Sequence, residues 1–77
     1  MKIEVLGTGC TKCQTLMAHV KEAVAKKGIF AQIEKVEDIV KIMEYGVMST
    51  PALVIDGKVM SSGKLLSVDE IVALLSL

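Results

Sequence analysis

The pattern of apolar and polar positions changes period several times along this chain, and each change marks an element. Lys2-Ile3-Glu4-Val5-Leu6 alternates charged and apolar side chains, with Ile3 and Val5 on one face, which predicts a strand. Gly7 and Gly9 punctuate its end, allowing backbone angles and a closeness of approach that a Cβ resists. From Cys13 the apolar positions Leu16, Met17, Val20 and Val24 recur at helical spacing, while Lys12, Thr15, Lys21, Glu22 and Lys26 fall on other faces. Lys26 and Lys27 suit the negative end of that helix, and Gly28 stands where a left-handed terminating residue is wanted.

Ile29 to Val36 returns to strand character, with Ala31 and Ile33 facing opposite to Gln32 and Glu34. It is predicted to run parallel to the first strand, since the helical stretch between them is long enough for a right-handed crossover. Asp38 then caps a shorter helix in which Ile39, Ile42 and Met43 share a face, closed by Gly46. Pro51, the single proline, pushes Thr50 towards extended geometry. Ala52-Leu53-Val54-Ile55 is an unbroken apolar run, the mark of a strand covered on both faces. Asp56-Gly57 signals a two-residue hairpin into an antiparallel strand, Lys58-Val59-Met60-Ser61, followed by a loop at Ser62-Gly63-Lys64. Ser67-Val68-Asp69-Glu70 reads as a capping box, with Leu66 and Ile71 as a hydrophobic staple and Val72, Leu74 and Leu75 continuing the helix. The order β-α-β-α-β-β-α predicts an α/β fold, a four-stranded mixed sheet flanked by three helices, in one domain over residues 1–77.

Composition narrows the function. A chain of 77 residues builds a modest core, and with Phe30 and Tyr45 as its only aromatics that core must be aliphatic. Nine basic and nine acidic residues cancel, so there is no electrostatic footprint for nucleic acid or an anionic membrane, and neither is expected as a partner. No segment has the apolar run of a signal peptide or the roughly 18 to 20 apolar residues of a membrane span, so a cytoplasmic protein is expected. In that reducing compartment a lone Cys-x-x-Cys pair points to redox catalysis or metal binding before a structural staple.

Both cysteines lie in Gly7-Thr8-Gly9-Cys10-Thr11-Lys12-Cys13, between the first strand and the first helix. At i and i+3 on one side of a helical turn, two sulfurs can close a short disulfide or share a metal ion. Cys10, at the helix start, stands beside unpaired backbone N–H groups and the positive end of the helix dipole, which favour thiolate. Lys12 adds a nearby cation, although a solvated surface charge is its ordinary role. Cys13, one turn inside on the apolar face, should be more buried and harder to ionise. This division suits thiol–disulfide exchange, with Cys10 attacking and Cys13 resolving, and requires no cofactor.

Other readings fit less well. Gly7-Thr8-Gly9 lacks the third glycine of a dinucleotide fingerprint, where Lys12 stands instead. His19 lies well around the helix from Cys13 and is expected at the solvated surface. A copper-carrier module also places Cys-x-x-Cys after a first strand, and soft thiolates would suit Cu(I). That pattern carries a methionine where this chain has Thr8, and ends on a strand where this chain ends on a capped helix.

Cys10-Thr11-Lys12-Cys13 opening a helix, then Ser49-Thr50-Pro51 before an apolar strand and the Asp56-Gly57 hairpin, resembles the thioredoxin and glutaredoxin superfamily. The short length, the Gly-Thr-Gly lead-in and Tyr45-Gly46-Val47 ahead of Thr50-Pro51 are most similar to small archaeal and bacterial thioredoxin-like redox-active disulfide proteins. The resemblance implies Cys10 as nucleophile, Cys13 as resolver, and a cis Pro51 facing them. Thr50 would present backbone groups to an extended substrate segment, and Thr11, Lys12, Thr50 and Pro51 form the implied substrate-contacting set. Met48 and Thr8 could add apolar contact, although core filling is the ordinary role of Met48. The chain departs from typical members in lacking a tryptophan before Cys10 and a Gly-Pro or Pro-aromatic dipeptide between the cysteines. No acidic residue is identified where thioredoxins keep a buried proton acceptor. Ser62-Gly63 matches only loosely a glycine pair that glutaredoxins use for glutathione. The implied partners are a protein disulfide and an upstream thiol reductase, with glutathione as a further option, and the protein is expected to act as a monomer.

Overall fold

A computed structural model of the chain describes residues 1–9 and 11–76; Cys10 and Leu77 lie outside the described residues. The elements follow as β1 (Lys2–Leu6), α1 (Thr11–Lys27), β2 (Gln32–Val36), α2 (Ile39–Glu44), β3 (Ala52–Ile55), β4 (Lys58–Ser62) and α3 (Val68–Leu75). The sheet runs β2-β1-β3-β4, with β1 parallel to β2 and antiparallel to β3, and β3 antiparallel to β4. The chain therefore has the α/β architecture that the order of its elements predicts, a four-stranded mixed sheet with three helices, as the thioredoxin-like resemblance also implies.

The two inner strands decide where the core lies. Ile3 and Val5 of β1 join Leu53 and Ile55 of β3 in one cluster with Leu16, Val20 and Ala23 of α1 and Ile71 and Leu75 of α3. Leu6, Ala52 and Val54 point the other way, onto Val36, Ile42 and Val47. α1 and α3 thus cover one face and α2 the other, which is why β3 reads as continuously apolar and all four of its residues are buried. Each large aliphatic side chain so buried contributes about 1.5–3 kcal/mol.

Local signals account for most boundaries. Gly28 ends α1 at φ +66, its N–H reaching Ala25 O at 3.1 Å while Ile29 N reaches Val24 O at 3.4 Å, the paired bonds of a Schellman motif. Asp56 and Gly57 both have positive φ, the two-residue hairpin geometry whose twist matches the flanking strands. Met60 is an extra residue in β4, which pairs Leu53 with Ser61 but Val54 with Val59.

Two expectations are corrected. β2 begins at Gln32 rather than Ile29, because Ile29 is still engaged in terminating α1 and the ladder with β1 starts at Lys2 opposite Gln32. In α2 only Ile42 is buried, whereas Ile39 and Met43 are exposed. A six-residue helix cannot lay three apolar residues on so narrow a strip of sheet, and Val47, just beyond it, completes the contact.

Candidate functional site

β1 ends on Gly7, whose N–H donates to Val36 O at 2.9 Å, tying the start of the cysteine turn to the end of β2. Gly7 is buried, and what it is buried against explains its identity. A Cβ there would collide with Cys13 Sγ, and would stand 3.2 Å from Cys13 Cβ and 3.8 Å from Thr50 Cβ. Cys13, in the first turn of α1, is 4% exposed. The absent side chain therefore lets Cys13 and the Thr50 loop close on the same point.

The Thr50–Pro51 peptide bond is cis, as the resemblance implies, with Thr50 exposed and Pro51 buried. A second glycine grips this segment from the opposite side. Gly63, at φ +69, donates its N–H to Pro51 O at 2.9 Å, and a Cβ on it would lie 2.7 Å from Ser49 Cβ. The β4–α3 turn thus acts as a buttress for the proline segment, a role that sequence pattern alone does not reveal because both motifs read as loop.

The remaining predicted residues take these positions. Thr11 and Lys12 are exposed in the first turn of α1, and Cys10 lies outside the described residues. Gln14 Nε2 donates to Gly9 O at 3.3 Å, bracing the turn. Met48 is 96% exposed, so it does not fill the core. His19 is half-buried rather than solvated: its Nδ1 donates to Leu66 O at 2.8 Å, fastening α1 to the lead-in of α3.

A carboxylate, overlooked in the sequence pattern, is buried in the strand that feeds the turn. Glu4 is 8% exposed, and the Tyr45 hydroxyl donates to its Oε1 at 2.6 Å. That hydrogen bond, with lesser effects of burial and of the Glu4, Glu34 and Glu44 charges, holds the Tyr45 pKa above its ordinary 10.0. The only sign in the sequence is an acid inside an inner strand; alternation makes Glu4 look solvent-facing, and it is α2 with Tyr45 that covers it. A cleft of about 400 Å³ opens there, lined by Lys2, Glu4, Lys41, Glu44 and Tyr45, and includes none of Cys13, Thr50 or Pro51.

Residues 1–76 match the family model of the thioredoxin domain. The chain belongs to the thioredoxin family. It is 41% identical over 76 residues to a thioredoxin of Methanothermobacter thermautotrophicus, covering 99% of both chains. It is also 44% identical over 69 residues to a thioredoxin of Methanocaldococcus jannaschii, covering 90% of this chain and 79% of that one. Membership makes this a thioredoxin-like redox protein and does not favour the copper-carrier reading. No helix among the described residues is long and apolar enough to cross a membrane.

Proposed function

We propose that the protein is a thiol–disulfide oxidoreductase in which Cys10 and Cys13 cycle between dithiol and disulfide. The observation that carries this reading is the convergence of Cys13 and the Thr50–Pro51 segment on Gly7, which sets a sheltered sulfur near the exposed residue Thr50. In the sequence Cys10 directly precedes a 17-residue helix with no acid in its first turn, and a cysteine at a helix start favours thiolate.

The Cys10 thiolate attacks one sulfur of a substrate disulfide; that S–S bond breaks, and the departing sulfur takes the electron pair and a proton. The resulting mixed disulfide is attacked by Cys13 after it loses its own proton. A Cys10–Cys13 bond forms as the Cys10–substrate bond breaks, so two electrons and two protons pass to the substrate. Thr50 offers backbone groups to a substrate segment lying alongside, while Thr11 and Lys12 flank its approach. An upstream thiol reductase, or glutathione, restores the dithiol by the same exchange in reverse. The expected substrate is a disulfide-bearing protein, met in the cytoplasm by a monomeric carrier.

Titration across thiol redox buffers, with free thiols counted by a mass-tagging alkylator, tests this. A reversible two-thiol transition between roughly −270 and −120 mV is expected. Cys13→Ser should accumulate mixed disulfides through Cys10, and Cys10→Ser should form none. A pair that stays reduced throughout, or is protected from alkylation by bound Cu(I), would overturn the proposal.

A further inference from the structure

The buried carboxylate of β1 is tied to the end of α2. Tyr45 caps that helix, and its hydroxyl donates to Glu4 Oε1 at 2.6 Å. Glu4 is 8% exposed, yet its partner is a phenol rather than a cation; Lys2, on the same strand, pairs with Glu34 at 3.5 Å instead. Burying a carboxylate without a cation is costly, and replacing such a group by a well-packed apolar residue is often neutral or stabilising. Stability alone therefore does not account for the pair, and its place in the chain points elsewhere.

The segment between Tyr45 and Pro51 is held at its ends. Gly46, at φ +75, turns the chain out of α2, its N–H donating to Met43 O at 2.9 Å. Val47 is buried, and Met48, Ser49 and Thr50 are exposed. None of these four makes a hydrogen bond to a described residue. A stretch without hydrogen bonds of its own lies where its neighbours place it. At the far end the Gly63 N–H fixes Pro51 O at 2.9 Å. At the near end α2 offers one buried side chain, Ile42, and packing of one residue leaves the rotation of a short helix loose. The Tyr45 hydroxyl supplies a directional tie from that helix to an inner strand, and the chain leaving at Gly46 follows it.

We infer that the Tyr45–Glu4 hydrogen bond positions Thr50 at the point where it and Cys13 meet over Gly7. Tyr45 and Glu4 are positioning residues: they act through residues 46–50 and do not touch substrate. This rests on the oxidoreductase reading and adds what holds its substrate-contacting segment in place.

Tyr45→Phe removes the donor and keeps the ring that packs against the cluster around Ile42 and Val47. With dithiothreitol as reductant and insulin as the protein disulfide, KM should rise roughly fivefold, the scale of one net hydrogen bond, while kcat changes little. Oxidation of the pre-reduced protein by cystamine, too small to lie along residues 46–50, should be affected far less. Glu4→Gln keeps an acceptor for the hydroxyl and should retain the wild-type KM, whereas Glu4→Leu should match Tyr45→Phe. Backbone NMR relaxation should show the Met48, Ser49 and Thr50 amides more mobile in Tyr45→Phe and Glu4→Leu, and unchanged in Glu4→Gln. An unchanged KM for insulin in Tyr45→Phe, equal slowing with insulin and cystamine, or a Glu4→Gln variant as impaired as Glu4→Leu overturns the positioning role. Should the wild type react with neither disulfide, the oxidoreductase reading falls, while the relaxation data still decide whether the pair holds the segment.

Discussion

Gly7 concentrates the constraints of the site in one residue. Its backbone does not need positive φ; it needs the absence of a side chain, because the Cys13 sulfur already occupies that space, with Thr50 in ordinary contact beside it. Gly7→Ala should therefore act as overpacking rather than as backbone strain. Overpacking typically costs about 1–3 kcal/mol, read as a lower denaturant midpoint. If the exchange proposed above operates, it should also slow release of substrate from the mixed disulfide, since Cys13 must move to admit the methyl group. Unchanged stability and unchanged release would mean that Cys13 does not rest against Gly7 in solution.

At the scale of elements, α3 shows how a short helix is held at its start. Ser67 Oγ accepts from Glu70 N at 3.1 Å and Ser67 N donates to Glu70 Oε1 at 3.0 Å, completing the capping box. The Ser67 N–H, and then Lys64, hold the Glu70 carboxyl below its ordinary 4.5. Because the folded pKa is depressed, this contribution is full above the unfolded value and is lost as pH falls through the folded one. Glu70→Gln should therefore lie below the wild type in thermal stability near neutrality and converge with it below about pH 4. Unfolding midpoints for both proteins across pH 3 to 7 would test this, and a gap that persists in acid would refute it. Ser67→Ala removes the other half of the box and should cost about 1 kcal/mol. The loss matters beyond the helix because Ile71 and Leu75 carry α3 into the core shared with α1.

The whole molecule divides its apolar residues unequally between the two faces of the sheet. Two helices cover one face, and a six-residue helix covers part of the other. On that second face Ile42 is the buried residue of α2, at 6% exposure against 60% for Ile39 and 68% for Met43. Ile42→Ala should thus cost about 2–5 kcal/mol in chemical denaturation, as a core truncation. Ile39→Ser and Met43→Gln should stay within about 0.5 kcal/mol. Equal losses at all three positions would mean that α2 sits on the sheet in a different rotation.

The amino-acid sequence by itself determined the order of the elements and the family. Alternation, helical spacing, the Asp56-Gly57 turn, the capping box and Gly28 are local devices whose physics acts within a few residues. The Cys-x-x-Cys spacing was legible for the same reason, whereas the cis Thr50–Pro51 bond was legible only through the family resemblance. Tertiary structure alone decided what lies beside what. A short α2 left Ile39 and Met43 in water, α2 and Tyr45 buried a glutamate that alternation placed outside, and Gly63 came to support a proline twelve residues earlier. Gly7 stands between the two cases: its need for closeness was readable, but the partner that requires it, Cys13, meets it only when the sheet and α1 pack together. Periodicity reports the face a residue turns outward; burial depends on whether another part of the chain covers that face.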